Sequence, residues 1–173
     1  MSKVLVAVVM CQYEDAESFC EMLKKEDVGT ISVIVTNINI YLTGLTELIL
    51  ASRYSGKKMR RLSWAKKCKR KIMKWAEVSP ASHLHQFLHL EAEWAAYRGK
   101  LGLSHQKFME AINAARSAGS LWGEGLICER FSAILAATGA MSESRDFFHK
   151  ALGIFEKWGV TIKVEALLKQ VHD

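Results

Sequence analysis

Apolar residues recur every three or four positions along most of the chain, and breaks in this pattern divide it into nine segments. Such spacing is typical of amphipathic helices. The single proline, Pro80, disfavours an all-β domain with its many turns. We therefore predict an all-α protein. The predicted helices cover residues 2–11, 13–25, 30–55, 60–77, 81–98, 102–118, 121–138, 141–157 and 161–171.

Two segments are ambiguous between helix and strand. "VLVAVV" (residues 4–9) and "ISVIVTNINIY" (residues 31–41) are rich in β-branched residues, which suit strands. Two isolated strands among helices would have no sheet to join. We therefore predict helix for both.

A forty-residue repeat links "GKLGLSHQKFMEAINAARSAGS" (residues 99–120) to "GAMSESRDFFHKALGIFEKWGV" (residues 139–160). The same pattern of small residue, Gly, small residue, Phe and Ala occurs in both. The repeat-core residues are Ala92, Gly99, Ser104, Phe108 and Ala111, matched by Ser132, Gly139, Ser144, Phe148 and Ala151.

Each position in the repeat has a physical reason. Small residues let two antiparallel helices approach closely, and glycine tolerates the left-handed conformation that ends a helix. Phe108 and Ala111 are three residues apart and share a helix face. A single helical hairpin cannot bury its apolar face and must stack on another. We expect Phe108 and Phe148 to be equivalent core residues.

This spacing resembles that of the tetratricopeptide repeat over residues 81–159. The family's period is about thirty-four residues, so a period of forty implies longer helices or loops. The resemblance implies an α-solenoid of stacked antiparallel hairpins, whose concave groove binds a peptide or helix.

The repeat predicts one helical domain over residues 1–173. Its predicted parts are clear repeats at 81–120 and 121–160, degenerate units at 1–29 and 30–80, and a capping helix at 161–173. The degenerate units place Ala16, Cys20 and Leu23, and then Ala65, at repeat-like spacing. In the cap, we expect Leu167 or Leu168 to face the preceding helices.

A narrower resemblance rests on "AEWAAYRGK" (residues 92–100) and "KALGIFEKWGVTIKVEALL" (residues 150–168). These segments resemble the extreme C-terminal helical tail of large multidomain signalling proteins, in which a kinase-like or AAA-type ATPase region precedes the helices. The resemblance implies that this chain is a detached tail. Its start inside an apparent helix agrees with that expectation.

The positive charge is concentrated in one segment. The net charge is +6, and "KKMRRLSWAKKCKRKIMK" (residues 57–74) holds ten of the 24 Lys and Arg residues and no acid. The rest of the chain has fourteen basic and eighteen acidic residues. The sequence therefore describes a mildly acidic protein with one strongly basic helix.

That basic helix is amphipathic. Its apolar residues, Trp64 and Trp75 among them, share one side, and the cations lie mostly opposite. We call these cations the cationic face: Lys66, Lys67, Arg70, Lys71 and Lys74. The face is either merely solvated or binds an acidic protein, a calmodulin-type partner, anionic lipid or nucleic acid. A protein partner is favoured over nucleic acid, because no aromatic residues are interleaved with the cations.

Within the same helix, "RRLS" places Ser63 three residues after Arg60 and two after Arg61. This pattern matches the preference of basophilic kinases, which makes Ser63 a candidate phosphosite. Motifs this short also arise often by chance.

His85, His89 and Glu93 follow one another at four-residue spacing, so one helix face could present three metal ligands. Two histidines four residues apart are a weak signal. We expect a solvated or partner-facing histidine pair and no metal site.

A membrane alternative concerns "ISVIVTNINIYLTGLTELILAS" (residues 31–52), which is long enough to span a bilayer and precedes the basic cluster. Its polar residues disfavour a span, since a carboxylate in lipid is costly. We expect Thr36, Asn39, Thr43, Thr46 and Glu47 on the outer side of a soluble helix. A membrane-anchored or anion-binding regulatory fragment centred on residues 31–75 is the alternative function.

No catalytic motif is complete. "YSGKKM" and "YRGKLG" lack the other residues of a phosphate-binding loop, and "WGEGLI" has only two of the three glycines of a dinucleotide-binding motif.

The cysteines and the N-terminal segment favour the cytoplasm. Cys11, Cys20, Cys68 and Cys128 form no C-x-x-C pair, which favours reduced thiols, and no signal-peptide cleavage site follows "MSKVLVAVVM". We therefore expect a non-catalytic, cytoplasmic protein-interaction or scaffold module without a cofactor.

Overall fold

A computed structural model describes residues 3–25 and 33–172, and these residues form helices joined by short turns, with no strand among them. The helices are α1 (Lys3–Val9), α2 (Tyr13–Lys25), α3 (Val33–Arg53), α4 (Lys58–Val78), α5 (Pro80–Tyr97), α6 (Leu101–Ser117), α7 (Leu121–Ala137), α8 (Met141–Trp158) and α9 (Thr161–His172).

The prediction of an all-α protein is confirmed. Each predicted helix corresponds to one observed helix, with ends that differ by a few residues. The two ambiguous segments are helical where they are described: residues 4–9 lie in α1 and residues 33–41 in α3. Residues 31 and 32 of the second segment lie outside the described ranges.

The chain divides into two compact units, Met1–His83 and Leu84–Asp173. In the first unit α3 forms the core, because α1, α2 and α4 all pack against it. Every residue of α3 from 41 to 51 is buried, including Tyr41, Leu45 and Ile49. Among the residues at repeat-like spacing, Ala16, Cys20 and Ala65 are fully buried, and the side chain of Leu23 lies outside the described residues.

The expectation that the polar residues of α3 lie on an outer side of the helix is wrong. Asn39, Thr43, Thr46 and Glu47 are at most 8% exposed and do not lie on an outer side. The cause is that α1, α2 and α4 all pack against α3, which leaves its residues 41–51 no solvent face. Thr43 Oγ1 donates a hydrogen bond to Cys20 Sγ at 3.3 Å. The side chain of Thr36, which we also expected there, is not among those described.

The second unit is built around α7. All ten residues from Gly123 to Ser132 are buried, as expected of a helix with neighbours on every side. Phe131 of α7 stacks on Phe108 of α6, with ring centroids 4.7 Å apart. It also contacts Phe147 of α8 at 4.5 Å. These three rings join α6, α7 and α8.

The repeat glycines end their helices in the same way. Gly99 has φ 71° and Gly139 has φ 86°, the left-handed conformation that glycine adopts without strain. After each glycine the next amide reaches back to the helix: Lys100 N–H donates to Ala95 O and Ala140 N–H to Leu135 O, both at 2.9 Å. This is the C-terminal capping motif that leaves few carbonyls unsatisfied.

The small repeat residues are also equivalent. Ser104 Oγ donates to Ala92 O at 3.0 Å, and forty residues later Ser144 Oγ donates to Ser132 O at 2.9 Å. Ala92, Ala111 and Ala151 have no exposed surface. Small side chains therefore bring α5 close to α6 and α7 close to α8, and the serines add a hydrogen bond across each contact.

The aromatic position of the second repeat differs from our expectation. Phe108 is fully buried, but Phe148 is only half-buried, and its neighbour Phe147 is the buried residue. Phe108 is enclosed between His89 of α5 and Phe131 of α7. In α8, Phe147 contacts Phe131 of α7 and takes the buried aromatic position.

The predicted capping helix packs on the second unit. α9 contacts α8, and Leu167 is fully buried, whereas Leu168 is 42% exposed. Lys163 is also buried, and its Nζ donates to Glu129 Oε1 of α7 at 2.5 Å. The expectation that at least one of the two leucines faces inward is confirmed.

Two helical glycines allow a matched test of this packing. A Cβ at Gly125 would lie 2.9 Å from Cε1 of the buried Phe155 ring, whereas one at Gly153 would meet nothing within 4 Å. Gly125→Ala should lower the free energy of unfolding by about 1–3 kcal/mol through overpacking. Gly153→Ala should raise it by about 0.5–1 kcal/mol. Urea unfolding checks the signs, and a stabilising Gly125→Ala would contradict the α7–α8 contact.

Candidate functional site

The cationic face of α4 is exposed as predicted. Lys66, Lys67, Arg70, Lys71 and Lys74 all reach solvent, and none of them forms an ion pair with a residue of the described ranges. The opposite side of the helix, which includes Ala65, Cys68, Ile72 and Ala76, is buried. The burial of one side therefore fixes the direction in which the charges point.

Two basic residues at the start of the same helix have a structural role. Arg61 is 7% exposed, and it donates to the Glu17 carboxylate of α2 at 2.9 Å and to Gly56 O at 2.8 Å. Its Nε lies 4.0 Å from Glu47 Oε2 of α3. Arg60 pairs with Glu21 at 2.5 Å. The basic segment thus contains an anchored N-terminal part and the open cationic face.

The two tryptophans of α4 are half-buried. Lys67 Nζ lies 4.8 Å from the ring centroid of Trp64, in cation–π contact, and Trp75 contacts the His83 ring at 5.8 Å. Both rings are therefore engaged by the protein, and neither offers an open stacking platform to a nucleic-acid base.

The candidate phosphosite, Ser63, is exposed on α4. Both arginines of its motif are engaged by acids of α2, as described above. A kinase that reads these arginines would have to break the two ion pairs. Arg60 remains 51% exposed, whereas Arg61 is buried, so the folded helix presents Ser63 with one of its two arginines at the surface.

The expected solvated histidine pair is wrong. His85 is 3% exposed and His89 is fully buried, because α5 turns these rings toward its neighbours. His85 contacts the Trp122 ring at 6.3 Å, and His89 contacts Phe108 at 5.5 Å. Across both described ranges, no three His, Cys, Asp or Glu side chains are grouped to hold a metal ion.

Glu93 is instead part of a buried ion pair. Arg130 of α7 donates from Nε to Glu93 Oε1 at 2.7 Å and from a terminal nitrogen to Oε2 at 3.1 Å. His89 Nε2 lies 3.5 Å from Glu93 Oε1. This two-pronged contact joins α5 to α7 with the geometry of the strongest Arg–carboxylate pairs.

The pKa values in this cluster follow from burial and charge. Burial alone would raise the pKa of Glu93, but the Arg130 charge and the hydrogen bonds from His89 and Arg130 outweigh it and lower that pKa to about 2. Burial lowers the pKa of His89, because the charged imidazolium would lose its hydration, and this outweighs the attraction of Glu93. Above pH 6.5 the cluster therefore holds neutral His89 beside an ionised carboxylate.

We expect His89 to make stability depend on pH. The unfolded chain takes up a proton on His89 below about pH 6.5, whereas the folded chain resists it until the lowered pKa is reached. The free energy of unfolding should therefore fall by about 1.4 kcal/mol per pH unit below 6.5 from this group. His89→Gln, which keeps a donor, should lose that slope. Urea unfolding at pH 7.5, 6.5 and 5.5 gives the free energy of unfolding of both proteins. If that free energy depends on pH equally in the unaltered protein and in His89→Gln, the lowered pKa of His89 is contradicted.

A groove lies between α6, α7 and α8 in the second unit, with a volume of about 310 Å³. We call it the α6–α8 groove. His105 Nε2 of α6 and Glu143 Oε1 of α8 lie 2.7 Å apart at its edge. The groove is lined by Leu101, Gly102, Ser104, His105, Phe131, Ile134, Leu135, Thr138, Ala140 and Glu143.

Sequence reasoning missed the ionic contacts and the groove. Glu93 and Arg130 are 37 residues apart, and Lys163 and Glu129 are 34 apart, so no local spacing marks them as partners. One sequence feature did indicate buried ion pairs: Lys163 and Arg61 each lie on the apolar side of their helix. A charged residue at such a position is rarely buried without an oppositely charged partner.

No family model, curated protein or solved structure matches this chain. Among the helices of the described ranges, none combines the length and apolar character needed to cross a bilayer. Cys11, Cys20, Cys68 and Cys128 form no disulfide bond.

Proposed function

We propose that this chain is a non-catalytic, cytoplasmic protein-interaction module whose cationic face binds an acidic protein. One observation carries the proposal: five adjacent cations on α4 are exposed and have no ion-pair partner in the described chain, although acids outnumber bases outside residues 57–74. The uneven distribution gives one region a positive potential that attracts an acidic surface.

The proposed architecture is a tetratricopeptide-like solenoid of stacked antiparallel hairpins, in which α5–α6 and α7–α8 are successive repeats and α9 is the cap. The matching serine hydrogen bonds and glycine caps forty residues apart support it. Such an array would carry a concave groove that selects a peptide or helix. The resemblance to signalling proteins further suggests a detached tail of a larger ATPase or kinase.

The spacing of the cations favours a protein partner. Lys67 and Lys74 are two turns apart, about 10 Å along the helix, with Arg70 and Lys71 between them. A row of carboxylates at the same spacing on a partner helix could pair with this row. The most exposed apolar side chains of α4 lie at its two ends, where Met59 is 81% and Val78 is 86% exposed, whereas Met73, among the cations, is 37% exposed. The apolar surface available for insertion into a membrane is therefore divided rather than continuous. Stacking of bases is disfavoured because Trp64 and Trp75 are engaged.

The second candidate is the anion-binding regulatory fragment centred on residues 31–75. The same cationic face supports it, because lipid headgroups and nucleic-acid phosphates are also anionic. Its membrane-anchored form receives less support, since residues 41–51 of α3 are buried within the protein. Phosphatidylserine vesicles and single-stranded RNA are the direct probes for this candidate.

Charge reversal with a matched control tests the proposal. In the face-reversal variant, Glu replaces Lys66, Lys67, Arg70 and Lys74. In the control-reversal variant, Glu replaces Lys100, Arg145, Lys157 and Lys169, which are also exposed and without an ion-pair partner in the described chain. Both variants have the same net charge. Each substitution should change stability by no more than about 0.5 kcal/mol.

Affinity capture from a cell extract, followed by mass spectrometry, is the measurement. Acidic proteins should be retained by the unaltered protein and by the control-reversal variant, and lost from the face-reversal variant. Retention of the same proteins by all three would exclude the cationic face as the contact surface. Binding to vesicles or RNA, in place of acidic proteins, would favour the second candidate.

A further inference from the structure

The α6–α8 groove has a mostly apolar wall and few polar groups that are free to bind a ligand. Ser104 Oγ already donates to Ala92 O, and Thr138 Oγ1 donates to the carbonyls of Ile134 and Leu135. The remaining polar side chains are His105 and Glu143, which are 45% and 41% exposed. A ligand therefore meets apolar surface in the groove and a charged pair at its edge.

The carboxylate of Glu143 has capacity for a second partner. Its Oε1 contacts His105, and no residue of the described chain hydrogen-bonds to its Oε2. An ionised carboxylate can accept several hydrogen bonds. Glu143 thus selects a ligand that brings a cation or a strong donor beside its apolar part, and it disfavours a fatty acid or another anion.

The volume limits the size of the apolar part. An enclosed apolar cavity of about 150 Å³ can hold benzene. At about 310 Å³ the groove has room for one indole-sized group or two smaller aliphatic groups. It is at the lower end of the volumes typical of small-molecule sites, about 300–1,000 Å³. Leu101, which is 48% exposed, extends the apolar surface toward solvent.

We propose that the α6–α8 groove binds one large apolar side chain of a partner protein, with a neighbouring Lys or Arg of that partner held by Glu143. The apolar wall and the volume of the groove favour a large apolar side chain, and the Glu143 carboxylate at its edge favours the neighbouring Lys or Arg. The exposed Leu101 favours a protein segment, because a segment can cover it and a small molecule leaves it in water. This site is independent of the cationic face, which lies in the other compact unit.

Tryptamine, an indole that carries an ammonium group, is a minimal probe of both features. Titration followed by amide ¹H–¹⁵N shifts should give a millimolar dissociation constant, with shifts confined to residues 101–105 and 131–143. Indole-3-propionate, which has the opposite charge, should bind about tenfold more weakly. Glu143→Gln should remove most of that difference. Shifts centred elsewhere, or equal affinities for the two probes, would overturn the proposal.

Filling the groove is the second test. Gly102 lines the groove, and a Cβ there would meet nothing within 4 Å, so Gly102→Trp places an indole at the groove without a clash at Cβ. Gly153 is a helical glycine with equally open surroundings outside the groove lining, which makes Gly153→Trp the control. Tryptamine binding should disappear in the first variant and persist in the second. Binding unaffected by Gly102→Trp would place the ligand elsewhere.

A capped helical peptide with Trp and Lys one turn apart tests whether the natural ligand is a protein. It should bind about tenfold more tightly than tryptamine, because its backbone and flanking residues can cover Leu101. Leu101→Ser should weaken the peptide by a larger factor than it weakens tryptamine, because only the peptide is long enough to cover the exposed part of Leu101 as well. A peptide that binds no more tightly than tryptamine would contradict a protein ligand.

Discussion

Replacing Arg130 by Met should lower the free energy of unfolding by about 3–5 kcal/mol, because it leaves the Glu93 carboxylate buried and unpaired. Arg130 and Glu93 are 9% and 5% exposed, so water cannot replace the lost partner. The loss should be larger than for any surface pair of this chain. Urea unfolding at pH 7.5 measures it.

The Arg116–Glu124 pair is the matched control for this prediction. It is also an arginine–carboxylate contact at 2.8 Å; Glu124 is 9% exposed, but Arg116 is 62% exposed, so water reaches the pair from the arginine side. Arg116→Met should therefore cost less than Arg130→Met, about 1–2 kcal/mol. The double variant Glu93→Gln with Arg130→Met should lose less than Arg130→Met alone, because it removes the buried charge. Similar losses for Arg116→Met and Arg130→Met would show that the α5–α7 ion pair does not form.

Truncation of the buried aromatic residues should have an effect of similar size. Phe108→Ala should lower the free energy of unfolding by about 3–5 kcal/mol, since Phe108 is fully buried and stacked on Phe131. Phe147→Ala should lower the free energy of unfolding by a similar amount, because Phe147 is also buried and contacts Phe131. Such a loss approaches the whole stability of a small domain.

Phe148→Ala supplies the internal comparison. Phe148 is the repeat partner of Phe108 by sequence, yet it is only half-buried. Its truncation should cost about 1–2 kcal/mol, well below the cost at Phe147. If thermal unfolding ranks Phe148→Ala as the more damaging change, the observed burial of Phe147 in place of Phe148 is wrong and the simple forty-residue correspondence is right.

The helices of residues 3–25 and 33–172 could be predicted from the sequence to within a few residues at each end, because local signals determine them. Apolar spacing marks each helix, and Gly99 and Gly139 stop two of them through backbone conformations that other residues adopt at a cost. The exposure of the cationic face could also be predicted, because helix periodicity determines which side chains lie opposite the apolar ones. A helix that buries Cys68 and Ile72 must turn Arg70 and Lys74 outward.

Tertiary relationships could not be predicted in this way. The burial of Glu47 depends on the number of helices that surround α3, which periodicity does not report. Whether Phe147 or Phe148 is buried depends on which of them contacts Phe131 of α7, and the two differ by only one position in the sequence. Glu93 and Arg130 meet only because α5 and α7 are neighbours in space. Sequence spacing led us to expect a solvated or partner-facing histidine pair at His85 and His89, where the fold buries both rings and pairs Glu93 with Arg130.

The most direct test of the cationic face as a binding surface is a salt titration of binding, carried out with the acidic protein that is most enriched in the capture experiment. The unaltered protein and the control-reversal variant should bind with affinities that fall by about tenfold or more between low and high salt. The face-reversal variant should bind weakly at every salt concentration. Salt-insensitive binding that survives the reversal of Lys66, Lys67, Arg70 and Lys74 would show that these side chains are merely solvated, and would contradict the proposed function.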